Sequence, residues 1–174
     1  MTWRGQTTPW DRVFACLVYL LPLMEAYMQY GRAFFSQFPE LNFLILPFLP
    51  FLFVYSTLLQ LIPLGLGGLL VFIALIALVV RNERIRHFVR FNTMQAILIG
   101  IALSIFGLLW SLVFTVTPGL GSSAALGGGI LGMAIANVLF LGTVALTIYA
   151  IVQSARGRYA EIPTLSEAVY MQVR

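Results

Sequence analysis

Lysine is absent from this chain of 174 residues, and histidine, cysteine and aspartate occur once each, as His87, Cys16 and Asp11. Each shortage removes a class of chemistry. One cysteine permits no intrachain disulfide and no thiolate metal cluster, so Cys16, inside an apolar run, reads as a small hydrophobe. His87 has no second imidazole and no thiol to join it in holding a metal, and it reads as a solvated residue on a helix face. Asp11 stands in a terminal segment and no G-x-S-x-G turn occurs, which leaves a Ser-His-Asp arrangement unsupported. The GLGG stretch, Gly65 to Gly68, lacks the third glycine and the βαβ setting of a dinucleotide loop. The expectation is a chain that is not an enzyme, with no cofactor and no metal.

Charge of either sign is scarce too. Only 9% of residues are charged and 60% are hydrophobic, against about 25% and about 45–50% in soluble domains. That is the composition of a membrane protein, whose first partner is the lipid bilayer. All ten cations are arginine and the net charge is only +4. They are dispersed among apolar runs rather than gathered on a soluble basic face, so no nucleic-acid partner is expected. The opening MTWRGQTTPWDR shows no cleavable signal and no plastid transit peptide, and the segment from Val13 is expected to remain as an anchor.

A hydrocarbon core of about 30 Å requires about 20 helical residues. The runs 13–30, 93–115 and 126–152 each meet that length. The run 41–80 is twice as long and is interrupted by Pro47, Pro50, Pro63 and GLGG. Arginine placement resolves it, because short cytoplasmic loops carry an excess of arginine. Arg4 and Arg12 precede the first run, Arg81, Arg84, Arg86 and Arg90 lie in the middle, and Arg156, Arg158 and Arg174 follow the last. An even number of crossings must separate segments that share a side. The second span is therefore placed at 63–80, which lacks internal proline, leaving 41–62 as an interfacial or re-entrant segment on the outer side; one long tilted span from about Phe48 is the alternative. The expected fold class is an all-α integral membrane protein, one membrane domain over 1–174. Four transmembrane helices, at about 13–30, 63–80, 93–115 and 126–152, leave both termini on the cytoplasmic or stromal side. A proline-broken outer segment and an amphipathic connector between helices 2 and 3 (81–92) complete it, with a cytoplasmic tail at 154–174. Trp3, Trp10 and Tyr149 would then mark the inner interface, and Tyr27, Tyr30, Tyr55 and Trp110 the outer one.

Extended as a helix, the connector places Ile85, Phe88 and Val89 on one face and Glu83, Arg86, His87 and Arg90 on the other. Arg81, Arg84, Arg86 and Arg90 would lie among anionic headgroups, each contributing about 1 kcal/mol. Glu83 would pair with His87 or Arg86 for a few tenths of a kcal/mol. Inside the spans, Glu25 and Asn137 are the polar residues with possible functional roles. Glu25 falls near the outer interface, within reach of water, and Asn137 suits an interhelical hydrogen bond. Gly128, Gly132 and Ala136 form a smooth stripe for helix packing. Thr164 and Glu167 suggest a capping box for a short terminal helix that docks through Leu165, Ala168, Val169 and Gln172.

The connector RNERIRHFVRFNTMQAIL, with the opening TPWDRVFACLVYLLPLMEA and the ending EIPTLSEAVYMQVR, resembles the Tic-twenty family, the membrane subunit of the translocon at the inner chloroplast envelope together with its cyanobacterial homologues. The resemblance covers essentially the whole chain. Its most specific part is HFVRFNTMQAIL, where an Arg-Phe-Asn-x-x-Gln core enters a span; His87, Arg90, Phe91, Asn92, Met94 and Gln95 are the motif residues, with no catalytic role attached. The resemblance implies four membrane helices with both termini on the stromal or cytoplasmic face. For plastid members it implies a part in preprotein import, beside other translocon subunits and a translocating polypeptide. Without a transit peptide the chain reads as a cyanobacterial homologue, a plastid-encoded copy or a mature form, placed in the cyanobacterial plasma or thylakoid membrane or the plastid inner envelope. The function expected is a contribution to polypeptide translocation or membrane-complex assembly. The alternatives are a subunit or assembly factor of a larger photosynthetic complex, and a small-solute channel or transporter lined by Glu25, Asn137 and Gln95, against which the lack of an internal repeat speaks.

Overall fold

The computed structural model describes residues 7–62, 66–116, 130–163 and 165–173, and these residues contain helices and no strand. The helices are α1 (Pro9–Gln37), α2 (Pro39–Leu61), α3 (Gly67–Val80), α4 (His87–Val116), α5 (Ile130–Ala155) and α6 (Leu165–Gln172). By length and composition α1, α2, α4 and α5 are apolar enough to cross a membrane. Leu108, Leu109 and Leu112 of α4 and Val138, Leu141 and Ile148 of α5 are exposed. Large aliphatic side chains left outside a helical bundle suit a hydrocarbon surround.

Helix α1 begins with a reciprocal cap: the Thr8 hydroxyl bonds the Asp11 amide, the Asp11 carboxylate bonds the Thr8 amide, and Pro9 takes a first-turn position that needs no amide proton. The helix is interrupted at Tyr19. Pro22 lies three residues on and has no amide proton to give the carbonyl of Val18, which accounts for the break. A π turn at Tyr27–Gly31 follows. Despite these irregularities α1 is the centre of the bundle, packed between α4 and α5, which touch each other only slightly. The core joins Tyr19, Ala26 and Tyr30 of α1 to Ala96, Ile99 and Leu103 of α4 and to Ala136, Phe140 and Ala150 of α5.

Contacts at the two ends fix the direction of each helix. At one end Asp11 pairs with Arg86, His87 meets Val173, and a Cβ at Gly157 would stand 2.6 Å from the Thr7 hydroxyl. At the other end Asn137 donates to Gln37 at 3.2 Å. The segments around Thr7, Arg86 and Val173 thus share one end of the bundle, as an even number of crossings between them requires. From Gln37 at one end of the bundle to Arg86 at the other the chain runs through α2 and α3. Fourteen residues of α3 span about 21 Å, short of a core of about 30 Å. Ten residues of α2, Pro39–Phe48, are wound as a 3-10 helix before the α-helical turns of Leu49–Leu61. Its first half faces α1 and α5, and Tyr55 lies by Glu25 and Phe72 on the other side of α1. The turn back into α3 depends on Gly67, where a Cβ would stand 2.4 Å from the carbonyl oxygen of Leu59. The segment expected at 41–62 to be interfacial or re-entrant is thus the bulk of α2, which is itself long and apolar enough to cross a membrane, whereas the helix found at the span expected at 63–80, α3, is not.

The connector corrects one expectation. Residues 81–86 are turns, and α4 begins at His87, so Glu83 and Arg86 share no helical face with His87 and Arg90. The cause is local: the Asn82 side chain accepts from the Arg84 amide at 3.0 Å, and its carbonyl accepts from the Ile85 amide at 3.0 Å. An asparagine closing its own turn in this way competes with helix. The Arg86 carbonyl then accepts from Val89 and Arg90 and starts α4. The third membrane helix therefore begins six residues earlier than expected, and the motif occupies its first turns.

Candidate functional site

Asn92, Thr93 and Gln95 are fully buried in the first turns of α4. Polar groups at such positions are costly unless bonded, and here they are. The Asn92 amide nitrogen donates to the Phe88 carbonyl at 2.7 Å, and the Thr93 hydroxyl to the Val89 carbonyl at 2.8 Å. The Tyr19 hydroxyl stands 2.9 Å from Asn92 Oδ1 and 2.8 Å from Gln95 Oε1; one proton serves both acceptors. Ser154, in the last turn of α5, donates to Asn92 Oδ1 at 2.9 Å, and Gln95 Nε2 donates to the Ala160 carbonyl at 2.9 Å. One network thus ties α1, α4, α5 and the segment after α5. Gly157 makes that last connection possible with φ +70°. Its amide bonds the Ser154 carbonyl and the Arg158 amide the Gln153 carbonyl, a Schellman closure that turns the chain back toward Gln95.

Beside this network sits a latch. His87 Nδ1 lies 3.1 Å from the Tyr159 hydroxyl and Nε2 lies 3.2 Å from the Val173 carbonyl. A carbonyl only accepts, so Nε2 carries a proton and donates to Val173, while Nδ1 shares a hydrogen bond with the Tyr159 hydroxyl. Phe91 is buried with ring centroids 5.0 Å from Tyr159 and 4.9 Å from Tyr170. Val169 and Val173 are buried with Phe91, Val80 and Ile97, and Met94 packs against them. The reading of His87 as a solvated residue is corrected accordingly: half-buried, it holds the tail on α4. The expected capping residue Thr164 lies outside the described residues. Ser166 instead accepts from the Ile162 amide at 2.8 Å.

The arginines divide. Arg81 and Arg84 are exposed. Arg90 Nε donates to the Val80 carbonyl at 2.6 Å, capping the end of α3. Arg86, about half exposed, pairs with Asp11 at 3.2 Å. Burial raises the affinity of the Asp11 carboxyl for its proton, but the Thr8 hydroxyl and amide and the Arg86 guanidinium together hold it below the ordinary value.

Further along the bundle, Glu25 points inward. It accepts from Ser104 of α4 and from Gln29 at 3.3 Å, and Gly100 leaves the room: a Cβ there would stand 2.8 Å from Glu25 Oε2. This corrects the expectation of a carboxylate reaching outward to water. Tyr30 and Tyr55 are buried as well, and Tyr30 donates to the Leu103 carbonyl at 3.0 Å, so neither belongs to an interfacial belt. Asn137 joins α5 to α1 through Gln37. Gly132 and Ala136 are buried, and Gly128 lies outside the described residues. No group of three or more His, Cys, Asp or Glu residues suited to a metal ion occurs among the described residues.

Sequence reasoning missed Tyr19, Ser154, Tyr159 and Ala160. The only signals for the first two are a hydroxyl within an apolar run and another at its end. The assembled geometry is that of an interior brace: the polar side chains of the motif spend their hydrogen bonds on Tyr19, Ser154, Tyr159 and backbone carbonyls.

The family model described as "Chloroplast import apparatus Tic20-like" matches residues 4–169. A Tic20 family protein of Synechocystis sp. is 43% identical over 164 residues, covering 94% of this chain and 93% of that protein. The Tic20 family protein Ycf60 of Pyropia yezoensis is 31% identical over 93% of this chain and 75% of its own length. Protein TIC 20-II, chloroplastic, of Arabidopsis thaliana is 30% identical over 99% of this chain and 78% of its own length.

Proposed function

The chain belongs to the Tic20 family, and on that premise we propose that this integral membrane protein is a subunit of a machinery that moves or inserts polypeptides, contributing a braced helical surface rather than a polar passage of its own. The observation that carries this reading is the burial of Asn92 and Gln95. Gln95, which would line the path of a channel, is instead fully enclosed, and with the equally buried Asn92 it ties three helices to the tail. Glu25 is likewise engaged by Ser104 and Gln29, which weighs against a small-solute channel. Surfaces for partners are then the apolar flanks of α4 and α5 and the cationic end that carries Arg81 and Arg84. Arginine excess assigns that end to the cytoplasmic or stromal side, among anionic headgroups. The membrane is a cyanobacterial plasma or thylakoid membrane or a plastid inner envelope, in keeping with the sources of the relatives.

Co-purification in mild detergent followed by mass spectrometry tests the proposal. Recovery of secretory or import machinery supports it. Stoichiometric recovery with a photosystem, and nothing else, sinks it in favour of a photosynthetic assembly role.

A further inference from the structure

Glu25 lies near the middle of α1, sixteen residues after Pro9 and twelve before Gln37, about 24 and 18 Å from the two helix ends. A carboxylate at that depth calls for a compensating cation. Among the described residues its hydrogen-bond partners are neutral, Ser104 of α4 and Gln29, and both bond Oε1. Oε2 takes no hydrogen bond from the described residues. It faces Gly100, where a Cβ would stand 2.8 Å from Oε2 and 3.2 Å from the ring of Phe72 of α3. Beside Glu25, Tyr55 of α2 and Val71, Phe72 and Leu75 of α3 close over a cavity of about 10 Å³, the smallest space that holds one water molecule. The chain departs from regular geometry to build this spot: Gln29 sits in the π turn Tyr27–Gly31, an irregularity frequent at functional sites, and a Cβ at Gly107 would stand 3.0 Å from Gln29 Oε1.

Space and ligands together select the cation. A metal ion gathers several oxygen ligands, and one open carboxyl oxygen beside room for a single water does not supply them. A proton needs one. Hydrogen bonding between α1 and α4 does not by itself call for an acid, because a glutamine would accept the same two bonds without a charge; what the carboxyl adds is an exchangeable proton. The titratable groups that face it among the described residues are the hydroxyls of Tyr30 on α1 and Tyr55 on α2, while α3 and α4 present apolar side chains and Ser104. The cover over it is slight, since α3 is a short helix that leaves Leu69, Leu70 and Ile73 exposed. We propose that Glu25 is a proton-binding site in the membrane interior, with the α2–α3 hairpin as its cover. The neutral acid is sealed beneath Tyr55 and Phe72. When the hairpin moves off α1, water reaches Oε2, the O–H bond breaks with its electron pair left on the carboxylate, and the proton passes to that water.

Infrared spectroscopy of the full chain in phosphatidylcholine nanodiscs, with the glutamate carboxyl carbons labelled by carbon-13, reads the proton directly. Glu40, Glu83, Glu161 and Glu167 are exposed, so a sheltered carboxyl among the labelled glutamates is Glu25. The expected spectrum at neutral pH contains the carbonyl stretch of a neutral glutamic acid, shifted by the label and lost in Glu25→Gln. Hydrogen exchange reads the cover. As pH is raised, the protection factors of the α3 amides should fall by about tenfold per pH unit, the slope of an opening that releases one proton, and those of Glu25→Gln should stay level. A spectrum in which every glutamate is ionised at neutral pH overturns the proposal in favour of a permanent carboxylate that only accepts hydrogen bonds. A neutral acid whose band persists while α3 protection stays level with pH overturns the coupling to the hairpin. If Glu25→Gln does not fold, the labelled wild-type spectrum and the pH slope of its α3 protection decide alone.

Discussion

The hydroxyl of Tyr19 and the side-chain oxygen of Gln95 lie 2.8 Å apart, both enclosed, although 76 residues separate them in the chain. Tyr19→Phe deletes the only side-chain donor shown to Gln95 Oε1 while preserving the ring. The expected cost is about 1–3 kcal/mol, the penalty of an acceptor buried without a partner, read as a lower midpoint of thermal unfolding in nanodiscs. Gln95→Leu should cost a similar amount. The double variant should cost clearly less than the sum, because no orphaned acceptor then remains at this contact, while the Ala160 carbonyl loses its Gln95 donor equally in the single Gln95 variant and in the double. Strict additivity would show that the contact carries no coupling.

The tail latch gives a second expectation. Val169 is fully buried against Phe91 and its neighbours, and His87 bonds the Val173 carbonyl from the same helix as Phe91. Val169→Ala removes part of an apolar burial of about 1.5–3 kcal/mol, and His87→Ala removes the clamp. Either change should speed amide hydrogen exchange across Leu165–Gln172, with protection near Asn92 largely kept. Unchanged exchange of α6 in both variants would mean that something else holds the tail.

Acid should loosen the start of α1. Asp11, in the first turn ahead of the apolar run that begins at Val13, has a folded-state affinity for protons below its ordinary value. Its contribution is therefore present in full above the unfolded carboxylate value and is lost as pH falls through the lower folded one. Asp11→Asn should lower stability at neutral pH by about 1 kcal/mol through the weakened cap, and it should flatten the acid limb of the stability curve. Half-exposed Arg86 adds little by itself. A variant whose acid limb matches wild type would assign the acid sensitivity to other carboxylates.

How much of this was legible follows from which forces are local. Hydropathy finds α1, α4 and α5 because a lipid-facing helix must be apolar along its whole length. The passage through α2 and α3 from one end of the bundle to the other is not written that way. Both are apolar, and their division depends on Gly67 meeting Leu59 and Tyr55 meeting Glu25, contacts without a periodic signature. A solvated His87 follows only if helical spacing continues back through 81–86, where Asn82 builds a turn instead. Asn92 and Gln95 were recognisable as a motif, but their partners Tyr19, Ser154 and Ala160 lie 62 to 76 residues away, beyond the reach of any local pattern.

The side of the membrane can be assigned with single cysteines in a Cys16→Ser background. Thr7, Arg86 and Val173 are brought to one end of the bundle by the contacts of Gly157, Asp11 and His87, and Phe38 follows directly on Gln37 at the other. Arg84→Cys and Arg156→Cys replace exposed residues and should react with a membrane-impermeant maleimide only when the cytoplasmic face is open. Phe38→Cys should react only from the opposite face. Labelling of all three from one face would contradict a passage between the two ends of the bundle through α2 and α3. The reverse pattern would keep the fold but invert it in the membrane, putting the Arg81 and Arg84 surface where cytoplasmic or stromal partners do not reach and thereby removing the cationic end from the proposed role.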